Sequence, residues 1–137
     1  MSSGKIHHLD LNVSDLKRSA AFYELVLGQM GYRRVHLDAD GYDWQAPLSD
    51  GEALTIGIYQ ARRQILHDRY SPGIHHLAFR AQSRAEVDGL YAVLLKTGAW
   101  VLDPPAEYPQ YDQDYYAVFF LDPDGIKLEF VYSPDRR

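Results

Sequence analysis

The tetrapeptide Ile6-His7-His8-Leu9 recurs as Ile74-His75-His76-Leu77, 68 residues further on in a chain of 137. The register then holds: Leu11 meets Phe79, Tyr23 meets Tyr91, Leu25 meets Val93 and Leu27 meets Leu95, with Gly28 and Gly31 answered by Gly98. A duplication of half the chain restricts the fold more than any composition does. Each copy must form the same small supersecondary unit, and a unit of that size exposes an apolar face that only a second copy can cover.

Each half opens on a segment in which every second residue is apolar (6–13 and 74–81), the period of a half-buried strand. A helix follows each. Ser14 or Asp15 can cap the first, whose apolar face carries Leu16, Ala20, Tyr23 and Leu27 and which Gly28 is expected to end. Ser83 and Glu86 form a capping box for the second, Val87, Leu90, Tyr91, Leu94 and Leu95 follow at helical spacing, and Gly98 supplies the stop. Short strand-like runs come next, at 32–37, 43–46 and 54–59, then 100–102, 115–121 and 126–132. Asp122-Pro123-Asp124-Gly125 is a hairpin turn, with Ser49-Asp50-Gly51 its weaker counterpart.

Each half therefore reads βαβββ. The chain is α+β: module one over 1–60, a linker over 61–73 carrying Arg62, Arg63, Arg69 and Pro72-Gly73, and module two over 74–137. A helix between the first two strands allows a crossover, and the later strands on short turns pair antiparallel. Two such mixed sheets, each with helices on its outer face, are expected to form an open barrel around a shared concavity.

Strand alternation sorts the side chains by face. On the first strand His8 goes with Ile6, Asp10 and Asn12, while His7 goes with the core residues Leu9, Leu11 and Val13. On the fifth, His76 goes with Ile74, Ala78 and Arg80. In the last strand Leu128, Phe130 and Tyr132 share one face, which leaves Glu129 on the other. A lone histidine is most simply a hydrogen-bonded strand residue. Symmetry-related His8 and His76, with Glu129 on the expected face, instead match the two-imidazole, one-carboxylate set that catalytic divalent metals use. Fe, Mn, Ni, Co and Zn all suit it. His7 and His75 read as structural or as supports of the ligand imidazoles.

Composition narrows the partners. Lys plus Arg is 14 against Asp plus Glu 19, so no basic field exists to draw in nucleic acid. Cys is absent, which removes disulfides, Cys-ligated zinc and thiol nucleophiles together. The opening Met1-Ser2-Ser3-Gly4-Lys5 lacks a signal peptide's apolar run and no stretch is long enough to span a membrane, so a cytoplasmic protein is the expectation. Tyr is abundant, 11 residues, and Tyr108, Tyr111, Tyr115 and Tyr116 cluster beside Pro109. Such rings can form a lid that stacks a planar substrate and hydrogen-bonds its oxygens, or can simply fill a strand and its core.

At these motifs the sequence resembles the vicinal oxygen chelate superfamily, which includes glyoxalase I, bleomycin-resistance proteins, extradiol dioxygenases and fosfomycin-resistance enzymes. The resemblance rests on the run from Ile6 to Leu16, on Ser19-Ala20-Ala21-Phe22-Tyr23 with Leu27-Gly28, and on the run from Phe120 to Glu129. It implies paired βαβββ modules forming an open barrel around one divalent metal ion, in a homodimer. The family's ligand positions fall on His8, His76 and Glu129. Glyoxalase I-like members add a ligand on the last strand of the first module and use it to move a proton, but here residues 54–59 offer neither carboxylate nor His. Fosfomycin-type transferases carry a monovalent-cation loop that residues 108–116 do not resemble.

The expected activity is thus metal-dependent chemistry on a small oxygenated metabolite chelated through two oxygens: a lyase, an isomerase or an extradiol dioxygenase. Asp10 is expected either to orient a ligand imidazole and meet substrate or to face solvent. The linker arginines can attract an anionic substrate or simply face water. The competing expectation is a metal-free sequestration protein of the bleomycin-resistance type, with tyrosines and Trp44 carrying the affinity.

Overall fold

In the computed structural model, which describes residues 3–37, 40–48 and 51–134, the chain forms two compact units, 1–65 and 66–137. Their boundary falls inside the expected linker. The turn at Ser49-Asp50-Gly51 lies, Gly51 apart, outside the described residues, as do Met1 and Ser2.

The first unit runs β1 (His8–Val13), α1 (Leu16–Gln29), β2 (Arg33–Leu37), β3 (Gly41–Pro47) and β4 (Ala53–Gln60). The second runs β5 (Leu77–Arg80), α2 (Arg84–Thr97), β6 (Val101–Glu107), β7 (Tyr116–Leu121) and β8 (Lys127–Tyr132). Each is βαβββ, and each sheet is open and mixed, in the orders β1-β4-β3-β2 and β5-β8-β7-β6. The first strand lies parallel to the last in both, and the remaining pairs are antiparallel. This is the α+β duplication that the repeat requires.

Burial follows the alternation. Leu11 and Val13 are buried while His8, Asp10 and Asn12 are exposed. Tyr23, Val26 and Leu27 of α1 join Trp44, Ile56 and Ile58 in the first core, and Val87, Leu90 and Leu94 join Val118, Phe120, Leu128 and Phe130 in the second. Each such side chain contributes about 1.5–3 kcal/mol on burial.

Several local expectations are corrected. Helix α1 does not stop at Gly28: it runs to Gln29, its last turn is closed by the Met30 amide, and the left-handed residue is Gly31 (φ 96°). A glycine can sit inside a last turn at modest cost, so glycine identity alone does not mark the stop. Asp15, not Ser14, caps this helix by accepting from Arg18 N. In α2 the Ser83 cap and the left-handed Gly98 stand as expected, but Leu95 is 59% exposed. One residue beyond Leu94, it is turned about 100° off the core stripe. Strand β5 begins at Leu77, because pairing with β8 starts at Leu77↔Leu128. Strand β6 is longer than expected and includes Pro104 and Pro105, which it tolerates as an edge strand with irregular register against β7.

The β7–β8 hairpin depends on Asp122, whose buried Oδ1 accepts from the amides of Asp124 and Ile126, both at 2.8 Å, while Gly125 turns at φ 82°. Asp122→Ala strands those two amides and is expected to cost about 1–3 kcal/mol in urea unfolding, with Asp122→Asn, which keeps an acceptor oxygen, closer to the wild type.

Candidate metal and substrate site

In the second unit, the β8–β5 and β8–β7 registers put Glu129 on one sheet face with Ala78 and Phe119, opposite the face that Leu128 and Phe130 bury against α2. Glu129 is 2% exposed. A carboxylate this buried is costly unless its oxygens are engaged, and both are. His76 Nε2 stands 3.2 Å from Oε1, and the Tyr115 hydroxyl donates a short hydrogen bond to Oε2. The Tyr115 pKa is strongly raised, by burial first and then by that bond.

The other nitrogen of His76 is also engaged. His75 Nδ1 lies 2.7 Å from His76 Nδ1, so one ring gives its N–H to the other. Desolvation first, then the charges of His76, Lys127 and Arg69, lower the His75 pKa. His76 Nε2–H is then the donor to Oε1, and His76 Nδ1 accepts from the Nδ1–H of His75. The first unit repeats this arrangement, with His7 Nδ1 3.0 Å from His8 Nδ1 and His8 Nε2 3.8 Å from Asp10 Oδ2. His7 and His75 are thus hydrogen-bonded to the candidate ligands.

The matched registers also locate the missing ligand position. Leu9 pairs with Ile56 and Asp10 with Gly57, as Leu77 pairs with Leu128 and Ala78 with Glu129. Gly57 is therefore the counterpart of Glu129. A Cβ there would collide with Oδ1 of Asp10 and Oδ1 of Asp43, so two carboxylates from the neighbouring strands occupy the space a side chain at 57 would take. The sequence reading missed Asp43. Its signal was the polar alternation Asp43, Gln45 against apolar Tyr42, Trp44, which becomes informative only once β3 is registered on β4.

Three of the four clustered tyrosines gather beside Glu129. Tyr108 and Tyr111 stack at 5.4 Å and 12°, and Tyr115 meets Tyr111 edge-on at 5.3 Å. Phe119, another residue the sequence reading passed over, packs edge-on against Tyr108 at 5.4 Å and His76 at 6.4 Å. The turn that presents them is closed by Tyr108 N–H donating to the Tyr115 carbonyl at 2.9 Å. Tyr116 is not among them. One residue along β7 it points to the opposite face, donates to Asp88 of α2 at 2.6 Å and lies under Arg84, which removes it from this site. Trp44 is likewise no groove wall: it is 0% exposed, on the helix side of the first sheet, and donates to Glu24 at 2.6 Å.

Among the described residues, no three His, Asp or Glu side chains gather in metal-holding geometry. The second unit supplies a pair, His76 and Glu129, whose types and facing atoms fit a divalent cation. The first supplies His8, presented with the same supporting bond.

Two open sheets, each with its first strand parallel to its last and a His-His pair at its opening strand, define a duplicated βαβββ scaffold. The family model described as the Glyoxalase/Bleomycin resistance protein/Dioxygenase superfamily matches residues 5–130, and the chain belongs to that superfamily. It is 33% identical to protein YqjT of Bacillus subtilis (strain 168), over 92% of this chain and 97% of that one. It is 30% identical to the metallothiol transferase FosB of Lysinibacillus sphaericus (strain C3-41), over 95% of this chain and 83% of that one. The crystal structure of a glyoxalase/bleomycin resistance protein from Albidiferax ferrireducens T118 superposes with a TM-score of 0.75 at 27% identity, covering 96% of this chain and all (100%) of that one. No described helix is long and apolar enough to cross a membrane.

Tyr32, Tyr108, Tyr115 and Tyr116 all have raised pKa values, the first three chiefly through burial and Tyr116 chiefly through its bond to Asp88. The folded state thus holds these protons more tightly than the unfolded chain. Their contribution to stability is complete below about pH 10 and declines above it, as the unfolded chain's tyrosines ionise. An alkaline titration followed by tyrosinate absorbance should show a late fraction that ionises together with loss of circular dichroism. Ionisation of every tyrosine in one step at the ordinary value contradicts this.

Proposed function

We propose that the chain is a divalent-metal-dependent enzyme, working as a homodimer, that takes a small oxygenated metabolite through two adjacent oxygens, with His8, His76 and Glu129 as the protein ligands. The observation that carries this reading is the buried Glu129 carboxylate facing the Nε2 of His76, whose Nδ1 is already engaged. Membership of the superfamily supports it, as does the name of the FosB relative. A divalent ion held there supplies Lewis acidity and open positions for the substrate oxygens.

The chain's own residues do the rest. With a cation on Nε2 of each ligand imidazole, His75 and His7 would fix the ligand tautomers by accepting the Nδ1 protons. Tyr111, 61% exposed and stacked on Tyr108, offers a flat apolar platform with hydroxyls at its rim, suited to a planar substrate. Asp10 and Asp43, whose carboxylates crowd Gly57, are the proton acceptors in this reading. Lyase, isomerase and extradiol dioxygenase outcomes are all compatible with this apparatus. The identity to FosB favours one second reading, metal-dependent thiol transfer to the bound substrate.

Elemental analysis of the purified protein is expected to find one divalent ion per chain, removable by chelator and missing from Glu129→Ala and His76→Ala variants that keep wild-type circular dichroism. A protein that takes up no metal but binds an aromatic ligand tightly is instead a sequestration protein. A Tyr116→Phe variant, lacking only the tie to Asp88, should keep full metal content and lose about 1 kcal/mol of stability or less.

A further inference from the structure

A carboxylate can offer a cation one oxygen or two, and the two oxygens of Glu129 have different neighbours. Oε1 faces His76 Nε2 at 3.2 Å, while Oε2 accepts the hydroxyl of Tyr115. Tyr115 is itself firmly placed. Its carbonyl accepts the Tyr108 amide at 2.9 Å, and its ring meets those of Tyr108 at 6.3 Å and Tyr111 at 5.3 Å, both edge-on. Oε2 is thus held on the aromatic side, and Oε1 is the oxygen presented on the imidazole side.

We propose that Tyr115 is the positioning residue for Glu129: its phenol holds one carboxylate oxygen and turns the other toward His76 as a single-oxygen ligand. This rests on the metal-dependent reading above and deepens it. It also gives Tyr115 a different task from Tyr108 and Tyr111. Those two serve the substrate, whereas Tyr115 acts before any substrate arrives. Loss of a hydrogen-bonding partner behind a metal ligand typically weakens metal binding about 10–100-fold, because the ligand is no longer held in its binding orientation. Here the loss also leaves a buried oxygen unpaired.

The test is Zn2+ titration calorimetry on the full-length protein with no small molecule present. Tyr115→Phe is expected to bind Zn2+ about 10–100-fold more weakly than the wild type, with Tyr111→Phe unchanged. A tyrosine that merely supports the fold would lower the melting temperature and leave Zn2+ affinity intact.

Wild-type affinity in a folded Tyr115→Phe variant overturns the inference while the metal reading stands. A wild-type protein that binds no Zn2+ overturns the metal reading and this inference with it. Should Tyr115→Phe fail to fold, the wild type decides alone. Zn2+ binding to Glu129 must alter the phenol hydrogen-bonded to it, so a tyrosine ultraviolet difference spectrum saturating with the bound metal supports the inference. A flat difference spectrum on a Zn2+-loaded protein overturns it.

Discussion

A carboxylate buried in a sheet is unstable without partners, and Glu129 is where this constraint falls. Satisfying it takes three separate pieces of chain. Strand β5 must lie parallel to β8 in the register that brings His76 alongside, and the turn before β7 must close through Tyr108 and Tyr115. The hairpin at Asp122 must fix where β8 begins. The same three pieces assemble the aromatic cluster. The second unit's local structure and its candidate chemistry thus answer one electrostatic requirement.

Duplication gave both units one backbone, and divergence distributed the chemistry unevenly between them. The His-His pair survives in each, with Nδ1 facing Nδ1. At the next position of interest the units part. The second has Glu129, buried and doubly bonded, while the first has Gly57 with Asp10 and Asp43 folded over it from adjacent strands. Carboxylate chemistry is retained on that sheet face, although the backbone position that would ordinarily supply it has no side chain. Such a substitution is invisible to a comparison made position by position.

Much of this was legible in the sequence because the informative signals were local. Alternation placed His8, Asp10 and Glu129 on their faces, Ser83 announced a helix start, and Asp122-Pro123-Asp124-Gly125 announced a hairpin. What was not legible depended on pairing between distant strands. Tyr115 and Tyr116 are neighbours of one type with opposite roles, and only the β7–β8 register says which faces Glu129. Trp44 looks like a candidate binding aromatic until β3 is set against β4, which turns it into the core. Pro104 and Pro105 argue against a strand unless β6 is known to be an edge. Asp43 acquires meaning only from a glycine on the adjacent strand.

The proposed ligands of the divalent cation are the imidazoles of His8 and His76 and the Glu129 carboxylate. X-ray absorption at the metal edge of the loaded protein reads that shell directly. Two imidazole nitrogens, a single carboxylate oxygen and further light oxygen donors are the expected shell; a shell with no imidazole scattering, or with that of only one ring, contradicts the proposed ligand set.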